Sequence, residues 1–208
     1  PVLAGNVSGG PGFAVSVAVS GKYIYFLSGS SMYVADSSNV ASSTVIATLS
    51  GLTSANYITT SGKYAYVTSN VNPGAMYIID ISNPAAPTIT GTLSGLNTPY
   101  LVTISGKYAY VANVGAGSLT IVDVSNPSNP VITGTLTGIT QAYAVAVSGK
   151  YAYVSSYGSN NIRVVDISNA YNPTQVATVS SPGNPGPLVI AGRYLYVSTF
   201  SSPSVASD

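Results

Sequence analysis

The chain has no cysteine, no histidine, no glutamate and no tryptophan. The missing cysteine excludes disulfides, thiolate metal sites and thiol nucleophiles. With histidine and glutamate also gone, the commonest general bases and activators of a serine nucleophile are absent, and the expectation is a protein that is not an enzyme, with no catalytic residue, no metal and no cofactor. No P-loop, zinc or EF-hand pattern is present. Charged residues make up 5% of the chain, against roughly 25% in ordinary soluble domains. A net charge of +1 offers no field to phosphate backbones or anionic lipid, so nucleic acid and membrane surfaces are poor partners. No apolar run approaches the ~18 residues that would span a bilayer. The opening PVLAGNVSGG lacks both the basic start and the hydrophobic stretch of a signal peptide.

What remains is a chain of 208 residues, 46% hydrophobic, with 17 tyrosines and abundant serine, threonine, valine and glycine. That is ample for a core, and solubility must come from hydroxyls and amides. Low charge with many hydroxyls leads us to expect an extracellular or cell-surface location.

Repetition dominates the sequence. SGKYAY begins at Ser61, Ser105 and Ser148, with relatives SGKYIY at Ser20 and AGRYLY at Ala191. The cation of this motif falls at Lys22, Lys63, Lys107, Lys150 and Arg193, giving spacings of 41, 44, 43 and 43. A second motif follows each: YVADSSN ending at Asn39, IIDISNP from Ile78, IVDVSNP from Ile121 and VVDISNA from Val164. Period-two alternation rich in Val, Ile, Tyr and Thr predicts strands throughout, without helical periodicity. In the third unit these are Tyr100 to Ile104, Lys107 to Val111, Leu119 to Val124 and Val131 to Thr137, here named strands a to d. Four antiparallel strands every ~43 residues predict a β-propeller blade.

Each repeat Asp precedes the next repeat cation by 27 residues, so every length change lies between strands b and c. The b–c and d–a loops share one end of a propeller, the usual ligand face. PVLAGNV at Pro1 aligns with PVITGTL at Pro130. The expectation is therefore a single all-β domain over 1–208, a five-bladed β-propeller whose N-terminal strand, Val2 to Val7, joins the Tyr194 to Asp208 hairpin and closes the ring.

These motifs resemble the LVIVD-repeat propellers through IIDISNP, IVDVSNP and VVDISNA, and more loosely the YVTN surface-layer propellers through GKYAYVT and GKYAYVA. The resemblance covers the whole chain. The first unit departs from it, because YVADSSNVASS lacks the prolines, and the last stops before the Asn. What the resemblance implies is a scaffold on bacterial or archaeal cell surfaces or in secreted form, with no shared catalytic residues.

All five acidic residues are the repeat aspartates Asp36, Asp80, Asp123, Asp166 and Asp208. Strand c lies two strand spacings, roughly 10 Å, outside strand a, so carboxylates of different blades cannot converge on one ion. They are expected to cap the D-x-S-N turn and to pair with the cation opening strand b: Lys22 with Asp36, Lys63 with Asp80, Lys107 with Asp123, Lys150 with Asp166, Arg193 with Asp208. The ten tyrosines of the KYxY pairs read as packing between blades. Tyr57, Tyr100 and Tyr143, with Phe13 nearby, fall where the d–a loop enters strand a. They read either as inner core or as an aromatic collar able to stack a sugar ring or a partner's side chain. Arg163 is the only charge outside the repeat pattern; it starts a strand c beside the SSYGSNN loop and is either solvated or a marker of the ligand face. Asn6 opens the sole N-x-S/T sequon, a weak glycosylation signal.

Two functions are expected in order. The first is a non-catalytic scaffold or assembly subunit of a surface layer, sheath, filament or adhesion structure, whose partners are other subunits or cell-surface components and whose form is a homo-oligomer or filament. The second is a lectin-like or protein-binding module using the d–a and b–c loop face. An enzyme with a cofactor in the channel comes third.

Overall fold

The computed structural model describes residues 6–200. Nineteen strands and two short 3-10 turns form five sheets. The first sheet contains β1 (Val7–Ser8), β2 (Ser16–Ser20), β3 (Tyr23–Ser28), β4 (Ser31–Asp36) and β5 (Ser43–Ser50). The second holds β6 (Ala55–Ser61), β7 (Tyr64–Ser69), β8 (Gly74–Asp80) and β9 (Thr88–Leu96). The third holds β10 (Pro99–Ser105), β11 (Tyr108–Asn113), β12 (Ser118–Asp123) and β13 (Val131–Thr137). The fourth holds β14 (Ala142–Ser148), β15 (Tyr151–Ser156), β16 (Asn161–Asp166) and β17 (Thr174–Ser180), and the fifth only β18 (Asn184–Ala191) and β19 (Tyr194–Phe200). Each is an antiparallel meander except for β1. The inner strands β2, β6, β10, β14 and β18 stand side by side in chain order, the arrangement of propeller blades.

The repeated hexapeptide has a local cause. Ser20 pairs with Tyr23 across β2 and β3, leaving Gly21 and Lys22 as a two-residue hairpin loop. Gly21, Gly62, Gly106, Gly149 and Gly192 all take φ between 56° and 60°. Glycine at the first of two loop positions is what a type II′ hairpin needs. The following cation lies over the next ring, from Lys22 on Tyr23 at 5.0 Å to Arg193 on Tyr194 at 5.4 Å. Its carbonyl accepts the N–H just past the repeat Asp at 2.9 Å, as Lys107 does from Val124.

Alternation then divides every blade into two faces. In β11, Tyr110 points to the fourth blade and packs with Val145 and Val154, while Ala109 and Val111 point to the second and pack with Tyr66 and Ile78. The first and second blades meet through Tyr25, Leu27, Ile58 and Val67. Tyrosine on one face over Ala and Val on the next is the packing unit of the fold. One extra residue bulges the outer strand at the same register in each four-stranded blade, for example between Ile121 and Val122 of the facing strand.

The expected ring closure is corrected at its N-terminal strand. Val7 and Ser8 pair in parallel with Ser43 and Thr44 of β5, on the outer edge of the first blade, and not with β19. The Ser8 hydroxyl donates to the Ser43 carbonyl at 3.3 Å. Gly9 and Gly10 then let the chain pass closely over Val45 and the Phe26 ring. The expected strand Val2 to Val7 and the partner Asp208 lie largely outside the described residues. Among the described residues the fifth blade has two strands, and no strand of the first sheet joins it.

Candidate aromatic site

The d–a and b–c loops gather at one end of the inner strands. Here the start of strand a is bulged in the second to fifth blades, for example between Pro99 and Val102 and between Ala142 and Val145. The preceding residues Thr98 and Gln141 take φ near 50°, which turns the chain sharply into the strand. Tyr100 and Tyr143 therefore occupy the same bulge position in adjacent blades. Their ring centroids lie 4.2 Å apart, and the Tyr143 hydroxyl donates to the Tyr100 hydroxyl oxygen at 2.8 Å. Burial, and then this bond, push the Tyr143 phenol well above its ordinary value.

Two further rings complete the cluster. Tyr157 lies 5.8 Å from Tyr143, Phe200 lies 6.0 Å from Tyr143, and Tyr157 and Phe200 are 5.8 Å apart. The Tyr157 N–H donates to the Gln141 carbonyl at 3.2 Å, fixing the SSYGSNN loop over the strand entry. Hydroxyls tie the inner strands beneath: Thr103 donates to the Val145 carbonyl at 2.7 Å, and Thr68 donates to the Tyr100 carbonyl. The result is a partly exposed aromatic surface on a braced base, of the kind that stacks flat, weakly polar rings.

The structure does not bring the whole expected collar together. Tyr57 occupies the register of Leu101 and Ala144, one position past Tyr100 and Tyr143. It packs half-buried onto the core between the second and third blades, because a shift of one residue reverses the face. Phe13 is 69% exposed and lies on the first blade beside Val17, Ile24 and Phe26. Arg163 faces Val154 and Thr178 along the fourth blade and donates to the Gln175 side chain at 3.1 Å, on the outer strand and away from the loop end. Tyr157 and Phe200 were missed. Spacing carried the signal: Tyr100 and Tyr143 lie seven residues before Lys107 and Lys150, and Tyr157 and Phe200 seven after Lys150 and Arg193, whereas Tyr57 lies six before Lys63.

The aspartates sit at the other end. Asp36 accepts the Ser38 N–H at 2.8 Å and Lys22 at 2.9 Å; Asp123 accepts the Ser125 N–H and Lys107, both at 2.9 Å. Lys150 comes to 3.8 Å from Asp166. Asp80 accepts the Ser82 N–H at 2.8 Å, with Lys63 near enough to favour its charge but over the Tyr64 ring. The serine hydroxyls first, and the lysines second, hold the Asp36 and Asp123 carboxyls down at about 2. The partner expected for Arg193, Asp208, lies outside the described residues, and Arg193 donates to the Tyr194 hydroxyl at 3.3 Å. Asn6 is exposed. Among the described residues no three His, Cys, Asp or Glu groups gather, and no helix is long and apolar enough to cross a membrane.

The LVIVD-repeat model matches four stretches of the sequence, residues 11–47, 53–94, 101–137 and 140–181. The chain belongs to the LVIVD-repeat family. No curated protein matches its sequence. Solved structures do resemble it. One is a functionally unknown protein from Desulfotomaculum acetoxidans, 17% identical, covering 89% of this chain and 62% of that one with a TM-score of 0.79. Another is a periplasmic gluconolactonase from Pseudomonas aeruginosa, 14% identical, covering 88% and 64% with a TM-score of 0.74. A third is a candidate 6-phosphogluconolactonase from Bacteroides fragilis, 15% identical, covering 88% and 62% with a TM-score of 0.71. This LVIVD-repeat chain thus spans less than two thirds of the length of these structures.

At such identities the likeness speaks for the fold. It nevertheless corrects one expectation. The absence of His, Glu and Cys led us to expect no enzyme, yet proteins named as lactonases share this architecture. The expectation of no enzyme is therefore not kept.

Proposed function

We propose that this LVIVD-repeat protein is a scaffold of the cell surface or extracellular space that builds assemblies through its sheet edges. The observation that carries this is the outer strands. β9, β13 and β17 end their sheets with one side unpaired, and none contains a charged residue. Monomeric proteins guard such edges with lysine, proline or a covering segment; among the described residues, only the outer edge of β5 has a further strand paired along it, β1. All seven residues of β17 are exposed, and Thr135 and Thr137 on β13 present hydroxyls outward. The test is immunogold imaging with surface extraction of the native protein. Label on a surface layer, sheath or filament is expected, and label confined to cytoplasmic monomer would overturn the reading.

The cluster of Tyr100, Tyr143, Tyr157 and Phe200 favours a second reading, binding of a sugar-like ring by stacking. The lactonase names of the structural neighbours extend it to ring opening of a gluconolactone by water. A glycan array and a gluconolactone assay on wild type and Tyr143→Ala decide it. Neither binding nor turnover, or either one unchanged in the variant, removes this reading.

A further inference from the structure

Repetition makes each blade a control for the next, and it singles out residues that the fold does not need. At the c–d turn of the second, third and fourth blades an asparagine side chain accepts a backbone N–H two residues on: Asn83 from Ala85, Asn126 from Ser128 and Asn169 from Tyr171, at 3.0 to 3.3 Å. The turn asks only for a main-chain donor at that place. The fourth blade nevertheless puts a tyrosine there, 69% exposed. Its backbone is firmly seated, because a Cβ added at Gly134 of β13 would lie 2.9 Å from Pro173 Cδ and 3.2 Å from the Tyr171 carbonyl carbon. Beside this ring, at the junction of the third and fourth blades, lies a cleft of about 270 Å³ bounded by Asp123, Asn126, Asn129, Val131, Ile132 and Tyr171. Both blades are four-stranded sheets whose strands are all described, so the cleft belongs to the interior of the chain.

From this cleft we infer a binding site for one neutral pyranose ring, its C–H face stacked on Tyr171 and its hydroxyls bonded by Asn126 and Asn129. The polar atoms are held ready for it. Asn126 commits its side-chain carbonyl to the Ser128 N–H and hydroxyl, which leaves both N–H bonds of its amide for a ligand. Asn129 fixes its backbone by donating its main-chain N–H to the Asn126 carbonyl at 3.0 Å, and its exposed side-chain amide offers donors and an acceptor together. Sugar hydroxyls need both. Asp123 meets Lys107 at 2.9 Å through one oxygen and Ser125 through the other, so its charge is balanced and the cleft selects no ion. Val131 and Ile132, 50% and 46% exposed, supply an apolar wall. The volume falls just short of the roughly 300–1,000 Å³ that encloses drug-sized ligands, which suits a single ring. One junction earlier the repeat has Ala86 in place of Asn129 and Ser128 in place of Tyr171, so that surface lacks both the ring and the second amide. The site lies at the end of the blades opposite the Tyr100 and Tyr143 cluster. It goes beyond both readings above and requires neither.

Saturation-transfer NMR with the methyl pyranosides of glucose, galactose, mannose and N-acetylglucosamine, added one at a time, tests this directly. At least one should bind, with saturation strongest at the C–H bonds of one ring face. Tyr171→Ser and Asn129→Ala each install the residue that a neighbouring blade carries at the same place, Ser128 and Ala86, so both variants should keep the fold. Tyr171→Ser should weaken binding about tenfold, and Asn129→Ala about three- to tenfold. Tyr171→Phe keeps the ring and should keep the binding. No binding of any of these sugars, or an affinity unchanged in Tyr171→Ser, would overturn the inference. Either result leaves the scaffold reading intact, and the second would move the sugar to another place on the molecule. Should a variant lose its sheet signal by circular dichroism, ¹³C-tyrosine labelling of the wild type replaces it: the Tyr171 ring resonances should shift as sugar is added, and resonances that stay in place would equally overturn the site.

Discussion

Tyr143 donates its phenolic O–H to the phenolic oxygen of Tyr100 at 2.8 Å while the two rings sit 4.2 Å apart. One contact therefore fixes both the tilt of the pair and the direction of the hydroxyls. Tyr143 is also the ring that touches Tyr157 and Phe200, so the aromatic surface depends on it. Tyr100→Phe should keep the stacking and lose the acceptor, costing about 1 kcal/mol. The same variant should lower the ionisation of Tyr143 toward that of a free phenol, followed by NMR of ¹³C-labelled tyrosine. An unchanged Tyr143 titration would show that the bond does not raise it.

The carboxylates make stability depend on acid. Asp36 and Asp123 titrate at about 2 in the folded chain against 3.8 unfolded, and Asp80 and Asp166 are lowered too. A depressed folded value means the native state binds fewer protons than the unfolded one. Its advantage is complete above pH 4 and disappears as pH falls toward 2. The melting temperature should be level with respect to these groups at pH 5 to 7 and drop between pH 4 and 2. Since the serine hydroxyls of Ser38 and Ser125 lead the shift, Ser38→Ala with Ser125→Ala should flatten that drop. An equally steep drop in the double variant would assign the effect elsewhere.

Much of this architecture was legible because one hexapeptide encodes one turn. Gly21 and its four equivalents are read directly from SGKY, and the strands predicted for the third unit match β10 to β13 within two residues. Periodicity could not phase the aromatic collar. Both blades carry the same bulge, but Tyr57 lies six residues before Lys63 where Tyr100 lies seven before Lys107, so Tyr57, which looks equivalent to Tyr100, belongs to the opposite face. The first strand misled for a related reason. PVLAGNV reads as a strand d, and its end does lie at an outer edge, but a strand pattern does not say which sheet it joins. Its last residue, Val7, pairs with Ser43 of β5 in its own blade.

Val17 and Val102 share a register but not an environment, so the same truncation should have two outcomes. Val102→Ala removes apolar area that is 0% exposed and should cost about 1.5–3 kcal/mol. Val17→Ala in dilute protein should change stability by no more than about 0.5 kcal/mol. Urea unfolding of both variants, at a concentration where the protein sediments as a monomer, measures the difference. Equal losses would mean that the first blade is covered in solution even in the isolated chain.

The last prediction concerns how closely blades approach. A Cβ at Gly91 in β9 would lie 2.1 Å from the Pro127 carbonyl oxygen, and one at Gly134 in β13 would lie 2.3 Å from that of Ala170. Both oxygens belong to the c–d turn of the following blade, so alanine must push a neighbouring backbone away. Overpacking of this kind costs about 1–3 kcal/mol, more than the roughly 0.5–1 kcal/mol that replacing a strand glycine returns. Gly91→Ala and Gly134→Ala should therefore lower the melting temperature, while Gly12→Ala, with nothing within 4 Å of the added carbon, should not. If all three behave alike, the turn of one blade does not seat on the outer strand of the blade before it, and the packing order along the chain needs another account.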